Sequence, residues 1–309
     1  MVIVQLVGGL GNQMFLYATA RALARRRATG LRLDVSHFAG PQRPGYLGQY
    51  NRSFKLSHFN ILQSLATATD VSRQLRRLPT RGIPGRLVAA WRWRFASLPF
   101  GHFGERTPNV DPAVRRLPGD VYLTGYFQCE AYFREAADSL RREFTPRDHG
   151  LTEYAAAYVA ARRHAGGPVV AVHVRRGDLA HCSEVIGNSK LVYGPPVTVD
   201  YLRAAMARFA GLRPTFLVFS DSSRDLDWCR ERLAGDRVHF AYGHDDLQDF
   251  AIIRACDHQI ISNSTFSWWA AWLNPNPAKR VIAPRHWYHP DWYPGFRIRS
   301  LIPQNWELL

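Results

Sequence analysis

The chain has 309 residues, 46% of them hydrophobic, and carries 40 Lys and Arg against 25 Asp and Glu, a net charge of +15. That apolar content excludes a disordered chain and is enough for one large domain or two ordinary ones. The four cysteines, Cys129, Cys182, Cys229 and Cys256, form no Cys-x-x-Cys pair, which speaks against a disulfide framework or a zinc site and for free buried thiols. No apolar run approaches the roughly 20 residues that span a bilayer. Met1 to Leu6 enters a strand directly rather than a leader, so the expected location is cytoplasmic. The positive charge invites nucleic acid, an anionic membrane surface or a phosphorylated substrate. No nucleic-acid-binding module is legible, so no nucleic-acid partner is expected.

In chain order, Met1 to Val7 reads as a strand, Gly8 to Gly11 as a tight loop, Asn12 to Arg27 as a helix and Leu31 to Val35 as a second strand, a βαβ unit. The helix is alanine-rich, keeps Phe15, Ala18 and Ala22 on one stripe, ends in basic residues, and has Gly30 just beyond as its stop. Residues 40 to 110 are rich in proline, glycine and arginine, with short helical stretches at Asp70 to Leu78 and Arg86 to Arg94. Gly82 to Phe103 interleaves Arg86, Arg92 and Arg94 with Trp91, Trp93 and Phe95, a pattern that suits a membrane interface or an interdomain face equally. Val121 to Gln128 reads as a strand and Ala131 to Phe144 as a helix, and a boundary is expected at His164 to Pro168. Strand and helix then alternate: strand 169–174, helix 199–210, strand 215–219, helix 225–234, strand 237–241, helix 246–254, strand 259–261, helix 265–273 and strand 280–283. This predicts two α/β domains in series, 1–164 and 165–309.

Four strand ends carry the chemistry. The apolar strand Pro168 to Val174 runs into Arg175-Arg176-Gly177-Asp178, where two permanently charged forks, a turn-forming glycine and an orienting carboxylate make an anion grip at the carboxyl edge of a sheet. A surface turn with locally paired arginines is the alternative for the pair taken alone. Gly9-Leu10-Gly11-Asn12-Gln13-Met14 stands where a dinucleotide fingerprint would, but Met14 replaces the third glycine, which disfavours a nicotinamide or flavin even with Asp34 at the end of the second strand. The loop reads equally as a helix N-terminus offering amides to a ligand or as a tight turn capped by Asn12. Ile260 to Trp269 ends a strand in Ser262, Asn263, Ser264, Thr265 and Ser267 before two tryptophans, so capping by Ser264 or Thr265, core packing by Trp268 and Trp269, and phosphate or sugar binding are all compatible. Phe216 to Ser222 places Ser220 and Asp221 at the same edge. Asp225-Leu226-Asp227 superficially matches a metal-binding Asp-x-Asp, yet with Ser222 three residues earlier it fits a capping box, with Trp228 and Leu233 as core candidates. No metal is expected from the histidines either, since none has helix-face ligand spacing with a carboxylate partner.

Taken together and in this order, Gly9-Leu10-Gly11-Asn12-Gln13, His173-Val174-Arg175-Arg176-Gly177-Asp178, Phe219-Ser220-Asp221 and Asn263-Ser264-Thr265-Phe266-Ser267-Trp268-Trp269-Ala270-Ala271-Trp272-Leu273 resemble the bacterial α-1,2-fucosyltransferases of glycosyltransferase family 11. The resemblance implies a GT-B-type α/β architecture of two Rossmann-like domains facing a cleft. The N-terminal domain would be on the acceptor side and the C-terminal one would bind the donor, with a last helix that packs back on the first domain. It implies an inverting, metal-independent galactoside α-1,2-L-fucosyltransferase with GDP-β-L-fucose as donor and no cofactor. Its acceptor would be a galactose-terminated oligosaccharide or lipid-linked glycan, and the positive charge of the chain is consistent with peripheral contact to the anionic inner membrane face. A transferase for another nucleotide sugar, or a non-catalytic carbohydrate- or nucleotide-binding protein on the same scaffold, is the alternative.

Carried onto this sequence, the resemblance makes Arg175 the contact to the β-phosphate, with Arg176 and Asp178 fixing the loop, and puts His173 near the nucleoside. Ser264, Thr265 and Ser267, with Asn263, would touch the pyrophosphate; Gly11, Ser220 and Asp221 complete the donor site. Asn12 matches an asparagine at the reaction centre of related protein O-fucosyltransferases, so Arg175, Asp178 and Asn12 are the catalytic candidates. Asp178 and Glu184 are candidates for a general base by sequence proximity alone. Two departures stand out: Ser222 where a second acidic residue is usual, and Ile253-Arg254-Ala255-Cys256 in place of Met-Ser-x-Cys.

Overall fold

The computed structural model describes residues 1–39, 52–75, 101–164, 166–176, 196–291 and 293–309. They form two compact units, the first ending at residue 145 and the second starting at 146. The expected helix Arg86 to Arg94, the aromatic and basic residues 82–100, and Gly177, Asp178, Cys182 and Glu184 lie outside the described residues.

In the first unit, strand β1 (Val2–Gln5) leads into helix α1 (Leu10–Arg26) and strand β2 (Leu31–Asp34), which pairs parallel with β1. Val2, Ile3 and Val4 are fully buried, as befits a central parallel strand covered on both faces. α1 buries Met14, Phe15, Leu16, Ala18 and Leu23, so Met14 fills core space where a dinucleotide fingerprint would hold a glycine. Arg25 and Arg26 occupy the last turn of α1, where cations suit the helix dipole. The residue that turns left-handed to end it is Ala28, at φ 47°, rather than Gly30. Helix α2 (Ala68–Leu75), strand β3 (His102–Gly104), the single turn α3 (Ala113–Arg116), strand β4 (Val121–Thr124) and helix α4 (Ala137–Glu143) follow. The sheet has order β2-β1-β4-β3 with every pairing parallel. Asp34 accepts hydrogen bonds from Tyr122 Oη at 2.6 Å and from the Ser36 amide at 2.9 Å, so it ties β2 to neighbouring structure. Glu143 at the end of α4 takes Tyr17 Oη at 2.6 Å and Arg21 Nη2 at 2.8 Å, a charge-assisted cluster that joins α4 to α1.

Two expected elements of this unit are shorter than their patterns. The strand from Val121 stops at Thr124, because Gly125 adopts φ 145° and Phe127 φ 49°. The helix expected from Ala131 begins as two short 3₁₀ turns, Glu130–Tyr132 and Arg134–Ala136, and becomes α-helical only at Ala137. The break at Phe133 lets its ring bury completely, 6.0 Å from the ring of Phe15.

The second unit opens with helix α5 (His149–Ala160), absent from the periodicity reading because its alanine-rich run has a weak stripe. Asp148 caps it by accepting from the Gly150 amide. The contact boundary therefore precedes α5, whereas the sequence placed it after residue 164. The physical reason is that α5 packs on helix α8 (Asp246–Ala255), and Arg163 just beyond α5 pairs with Asp257 at 2.8 Å. The remaining elements are strand β5 (Val169–Val174), helix α6 (Val199–Ala207), strand β6 (Thr215–Ser220), helix α7 (Ser223–Leu233), strand β7 (Val238–Phe240), strand β8 (His258–Ile260), helix α9 (Thr265–Leu273), and strands β9 (Val281–Ala283) and β10 (Glu307–Leu308). All six strands are parallel, in the order β10-β9-β8-β5-β6-β7. In place of the expected last helix, the chain ends as β10, an edge strand of the second unit's own sheet.

β5 is buried at all six positions and pairs on both sides, which makes it the central strand. Trp268, Trp269 and Trp272 of α9 are buried against one another and against Trp306, and Trp268 Nε1 donates to the Leu301 carbonyl at 3.1 Å. Those aromatic bodies fix α9 on the sheet and aim its N-terminus at the carboxyl edge. Cys129, Cys229 and Cys256 are free and buried.

Candidate active site

The order of the second sheet decides where a ligand can bind. From β5 the chain proceeds outward through β6 to β7, then returns to the other side of β5 as β8 and proceeds through β9 to β10. The connections after β5 and β8 therefore diverge, and the opening between them at the carboxyl edge is the topological switch point where ligands of open α/β sheets sit. Arg175 and Arg176 follow β5, and Ser262 to Ser267 follow β8, so the two richest motifs are brought to that opening by strand order alone. Ser220, the last residue of β6, and Asp221 just after it lie at the adjacent strand end.

His173 is the last but one residue of β5. It is buried, its Nδ1 lies 3.0 Å from Ser262 Oγ, and its ring packs 5.6 Å from that of Phe266. Burial, reinforced by the charge of Arg175, pushes its pKa down to about 3, so it is a neutral hydrogen-bonding group at any working pH. Arg175 remains partly exposed, with Nε 3.8 Å from Asp221 Oδ2. Arg176 is held differently: its Nε lies 3.9 Å from Asp225 Oδ1, and its guanidinium carbon stands 3.7 Å over the Trp228 ring. Ser222 Oγ donates to Asp225 Oδ2 at 3.0 Å and accepts from the Asp225 amide at 3.1 Å, capping α7. The serine that departs from the family pattern thus builds the helix start that braces Arg176, and Asp225 serves this brace. Among the described residues no cluster of three or more His, Cys, Asp or Glu is arranged to hold a metal ion. Ser220 Oγ donates to the Val174 carbonyl at 2.6 Å and locks the ends of β5 and β6 together.

At the start of α9, Ser264 occupies the N-cap position with extended backbone, but its side chain makes no cap hydrogen bond. Its hydroxyl is buried and has no hydrogen-bond partner among the described residues, and such a group costs free energy until something supplies one. Ser267 Oγ donates back to the Ser264 carbonyl at 3.3 Å, and Asn263 is buried beside it. Ser264 thus does not cap α9 with its own side chain, and the partial positive charge of that helix N-terminus suits an anion.

In the first unit the switch point falls between β1 and β4. Gly8 has φ 74°, and α1 begins at Leu10 with Gly9, not Asn12, as its N-cap. Gly11 and Asn12 lie within the first turn of α1, and Asn12 Oδ1 accepts from Gln128 Nε2 at 3.0 Å. In this arrangement Asn12 Nδ2 is turned away from Gln128. Gln13 is buried and bridges the loop, its Nε2 donating to the carbonyls of Gly8 and Ser53 at 2.9 Å each.

Two carboxyls escaped the motif reading. Asp249, in α8, is 3.2 Å from His244 Nδ1, and burial together with the charges of Asp245, Asp246 and Asp221 pushes its pKa up to about 7. Its neighbour Phe250 touches Phe266 at 5.3 Å, which continues the ring contact to His173, so it belongs to the same edge as the arginines. Glu105, directly after β3, is pushed up to about 7, chiefly by burial, although it accepts from two backbone amides. A perturbed carboxyl cannot be found from spacing, since the burial that perturbs it is made by residues distant in sequence.

The sequence model of Glycosyl transferase family 11 matches residues 111–306, more than half of the chain. The alpha-1,2-colitosyltransferase of Escherichia coli is 27% identical over 318 residues, covering 99% of this chain and 97% of its own. Galactoside alpha-(1,2)-fucosyltransferase 2 of Gorilla gorilla gorilla is 25% identical over 308 residues, covering 93% of this chain and 76% of its own. Among solved structures, NodZ alpha-1,6-fucosyltransferase soaked with GDP-fucose has the same fold, with a TM-score of 0.52 at 16% identity over 92% of this chain and 94% of that one.

Proposed function

Because the chain belongs to glycosyl transferase family 11, and is a glycosyltransferase with two Rossmann-like units of the GT-B type, we propose that it moves L-fucose from GDP-β-L-fucose to a galactosyl hydroxyl of a glycan, forming an α-1,2 linkage. The observation that carries this reading is the Ser264 hydroxyl, buried without a partner among the described residues at a helix N-terminus that its own side chain does not cap, across the switch point from Arg175. A diphosphate gives that hydroxyl its missing partner, meets the helix amides, and takes the arginine fork bidentately. Phosphate binding at this edge puts the nucleoside toward His173 and Asp249. Guanine presents two adjacent donors, N1–H and the 2-amino group, and Asp249 is a carboxylate suited to accept both.

The acceptor hydroxyl attacks C1 of fucose from the face opposite the diphosphate, and the bond from C1 to the β-phosphate oxygen breaks. The bonding pair stays on that oxygen, the acceptor's proton leaves to a base, and the β-linked donor becomes an α-linked product with inversion. Charge grows on the leaving oxygen in an oxocarbenium-like transition state, and Arg175 and the α9 amides supply fixed positive potential there. Removing one such donor costs on the order of 3 kcal/mol, so the set provides the stabilisation for which other transferases use a divalent ion. Asn12 Nδ2, on the side of the amide turned away from Gln128, serves as a donor for an oxygen of a sugar bound at the first unit's own strand edge.

The test is incubation with GDP-fucose and a panel of galactosides, with and without chelator, followed by mass detection and linkage analysis. Transfer insensitive to chelator and an α-1,2 product are expected; a strict magnesium requirement or preference for a UDP-sugar would overturn the reading. The match to a colitosyltransferase favours one second reading. Colitose is L-fucose without its 3-hydroxyl, and GDP-colitose belongs in the same panel. The charge of +15 supports a lipid-linked acceptor at an anionic membrane surface, and co-sedimentation with anionic but not neutral liposomes is the expected result.

A further inference from the structure

We propose that Tyr126 is the platform on which the acceptor's galactosyl ring stacks, and that Glu105 is the positioning residue that holds it in place; the inference rests on the galactoside-transfer reading of the first unit. β4 delivers the chain to the carboxyl edge of the first sheet, and the three residues after Gly125 are aimed in alternate directions. Tyr126 is 44% exposed, the Phe127 ring is fully buried, and Gln128 is 4% exposed with its amide on Asn12. Phe127 packs 6.2 Å from Phe103 and 6.0 Å from Tyr132, so it anchors the turn from below.

This arrangement is bought with backbone strain. Phe127 has φ 49°, a left-handed conformation that is strained for a bulky residue. Gly125 has φ 145°, and a Cβ there would lie 2.4 Å from Glu105 Cβ, so only glycine lets the glutamate come so close. Glu105 uses that approach to accept from two successive amides, Tyr126 N–H at 2.6 Å on Oε2 and Phe127 N–H at 3.0 Å on Oε1. Both carboxylate oxygens are thus committed to one turn whose geometry the chain would not otherwise keep. Its visible product is an aromatic side chain standing out at the strand edge, two residues from the glutamine that sets Asn12. Galactose carries its 4-hydroxyl axially, which leaves one ring face of C–H groups at C3, C4 and C5. Such a face, weakly positive, complements the negative face of an aromatic ring.

Binding of lactose and N-acetyllactosamine in the absence of donor, followed by saturation-transfer NMR and titration, tests this directly. Tyr126→Ala is expected to weaken lactose about tenfold and to raise the acceptor KM equally, while GDP affinity stays within about twofold. Tyr126→Phe and Tyr126→Trp should restore both. Glu105→Gln, which turns an N–H2 group against one of the two backbone amides, should raise the acceptor KM without changing that for donor, and Glu105→Asp should recover part of the loss. Unchanged lactose binding by Tyr126→Ala, or no lactose binding by the wild-type protein, would overturn the platform. A Glu105→Gln variant altered in melting temperature alone would overturn the positioning role. Loss of galactoside binding in Tyr126→Ala together with wild-type inactivity on GDP-fucose would uphold the platform and reject fucose as the donor sugar.

Discussion

The guanidinium of Arg176 stands 3.7 Å over the Trp228 ring and leaves its neighbour, Arg175, as the arginine at the opening between β5 and β8. Two adjacent residues of one type therefore have different jobs, and substitution separates them. Arg175→Ala is expected to lower kcat by two to three orders of magnitude, the cost of about 3 kcal/mol for one fixed donor, with the melting temperature nearly unchanged. Arg176→Lys keeps the charge but loses the planar stack, so about 1 kcal/mol of stability and a melting temperature lower by about 2–4 °C are expected. Thermal melts and steady-state rates on the two purified variants decide it. Near wild-type turnover by Arg175→Ala would remove it from the phosphate site.

Ser264→Ala has an unusual expected sign. The hydroxyl is buried without a partner among the described residues, so its removal relieves a penalty of about 1–3 kcal/mol in the ligand-free protein. The melting temperature of the ligand-free variant should rise, while the further rise caused by GDP should shrink and the KM for donor increase. Melting curves with and without GDP measure both. A variant that melts lower and binds GDP as before would show that the hydroxyl is structural.

Much of this site was legible because it lies at strand ends. The buried run before Arg175 marks a central strand, and polar residues after β6 and β8 must then share its carboxyl edge, whatever the loop details. Helix Thr265–Leu273 agrees with expectation to the residue, since Ser264 at its start and Asn274 at its end bound an apolar block. The turn at Gly125 was hidden because Val121 to Gln128 is rich in strand-favouring residues; Glu105, just after another strand, accepts from the Tyr126 and Phe127 amides and so helps to hold the positive φ at Phe127. Asn12 resembled a cap in sequence, yet its side chain finds Gln128, 116 residues away. Tertiary partners of that kind leave no local trace.

Asp249 predicts a pH dependence. Its pKa is raised from 3.8 to about 7 by burial and by Asp245, Asp246 and Asp221, with His244 as its hydrogen-bond neighbour. A folded-state pKa above the unfolded one means that the native state binds the extra proton between about pH 4 and pH 7, so stability from this group falls as pH rises through that window and stays low above it. Asp249→Asn should therefore be more stable than wild type at pH 8, by about 2 kcal/mol once remaining exposure is discounted, and equal near pH 4. GDP affinity should show the opposite trend in the wild type, tightening as the carboxylate forms through about pH 7, and should be weak and flat in the variant. Melts and GDP titrations from pH 5 to 8 give both curves; a wild-type affinity independent of pH would take Asp249 out of base recognition.

Gly8 and Gly9 give a matched pair. Gly8 has φ 74°, and a Cβ on it would lie 2.6 Å from Asn12 Nδ2 and 3.2 Å from Asn12 Cβ. Gly9 has φ −78°, ordinary for any residue, and the nearest atoms to its Cβ would be those of the Arg52 guanidinium, at 3.2 Å from Nη1. Gly8→Ala thus forces a left-handed alanine, at about 1–2 kcal/mol, and pushes on the amide that Gln128 orients, whereas Gly9→Ala asks only the end of a flexible side chain to move. Gly8→Ala should lower the melting temperature by a few degrees and reduce kcat by more than about tenfold, a larger loss than the stability change explains, with GDP affinity unchanged because the proposed donor site is built from residues of the second unit. Gly9→Ala should match wild type in stability and keep most of its rate. Equal kcat in the two variants would mean that the direction of Asn12 Nδ2 is immaterial to transfer, and the role of Asn12 in orienting the sugar would fall with it.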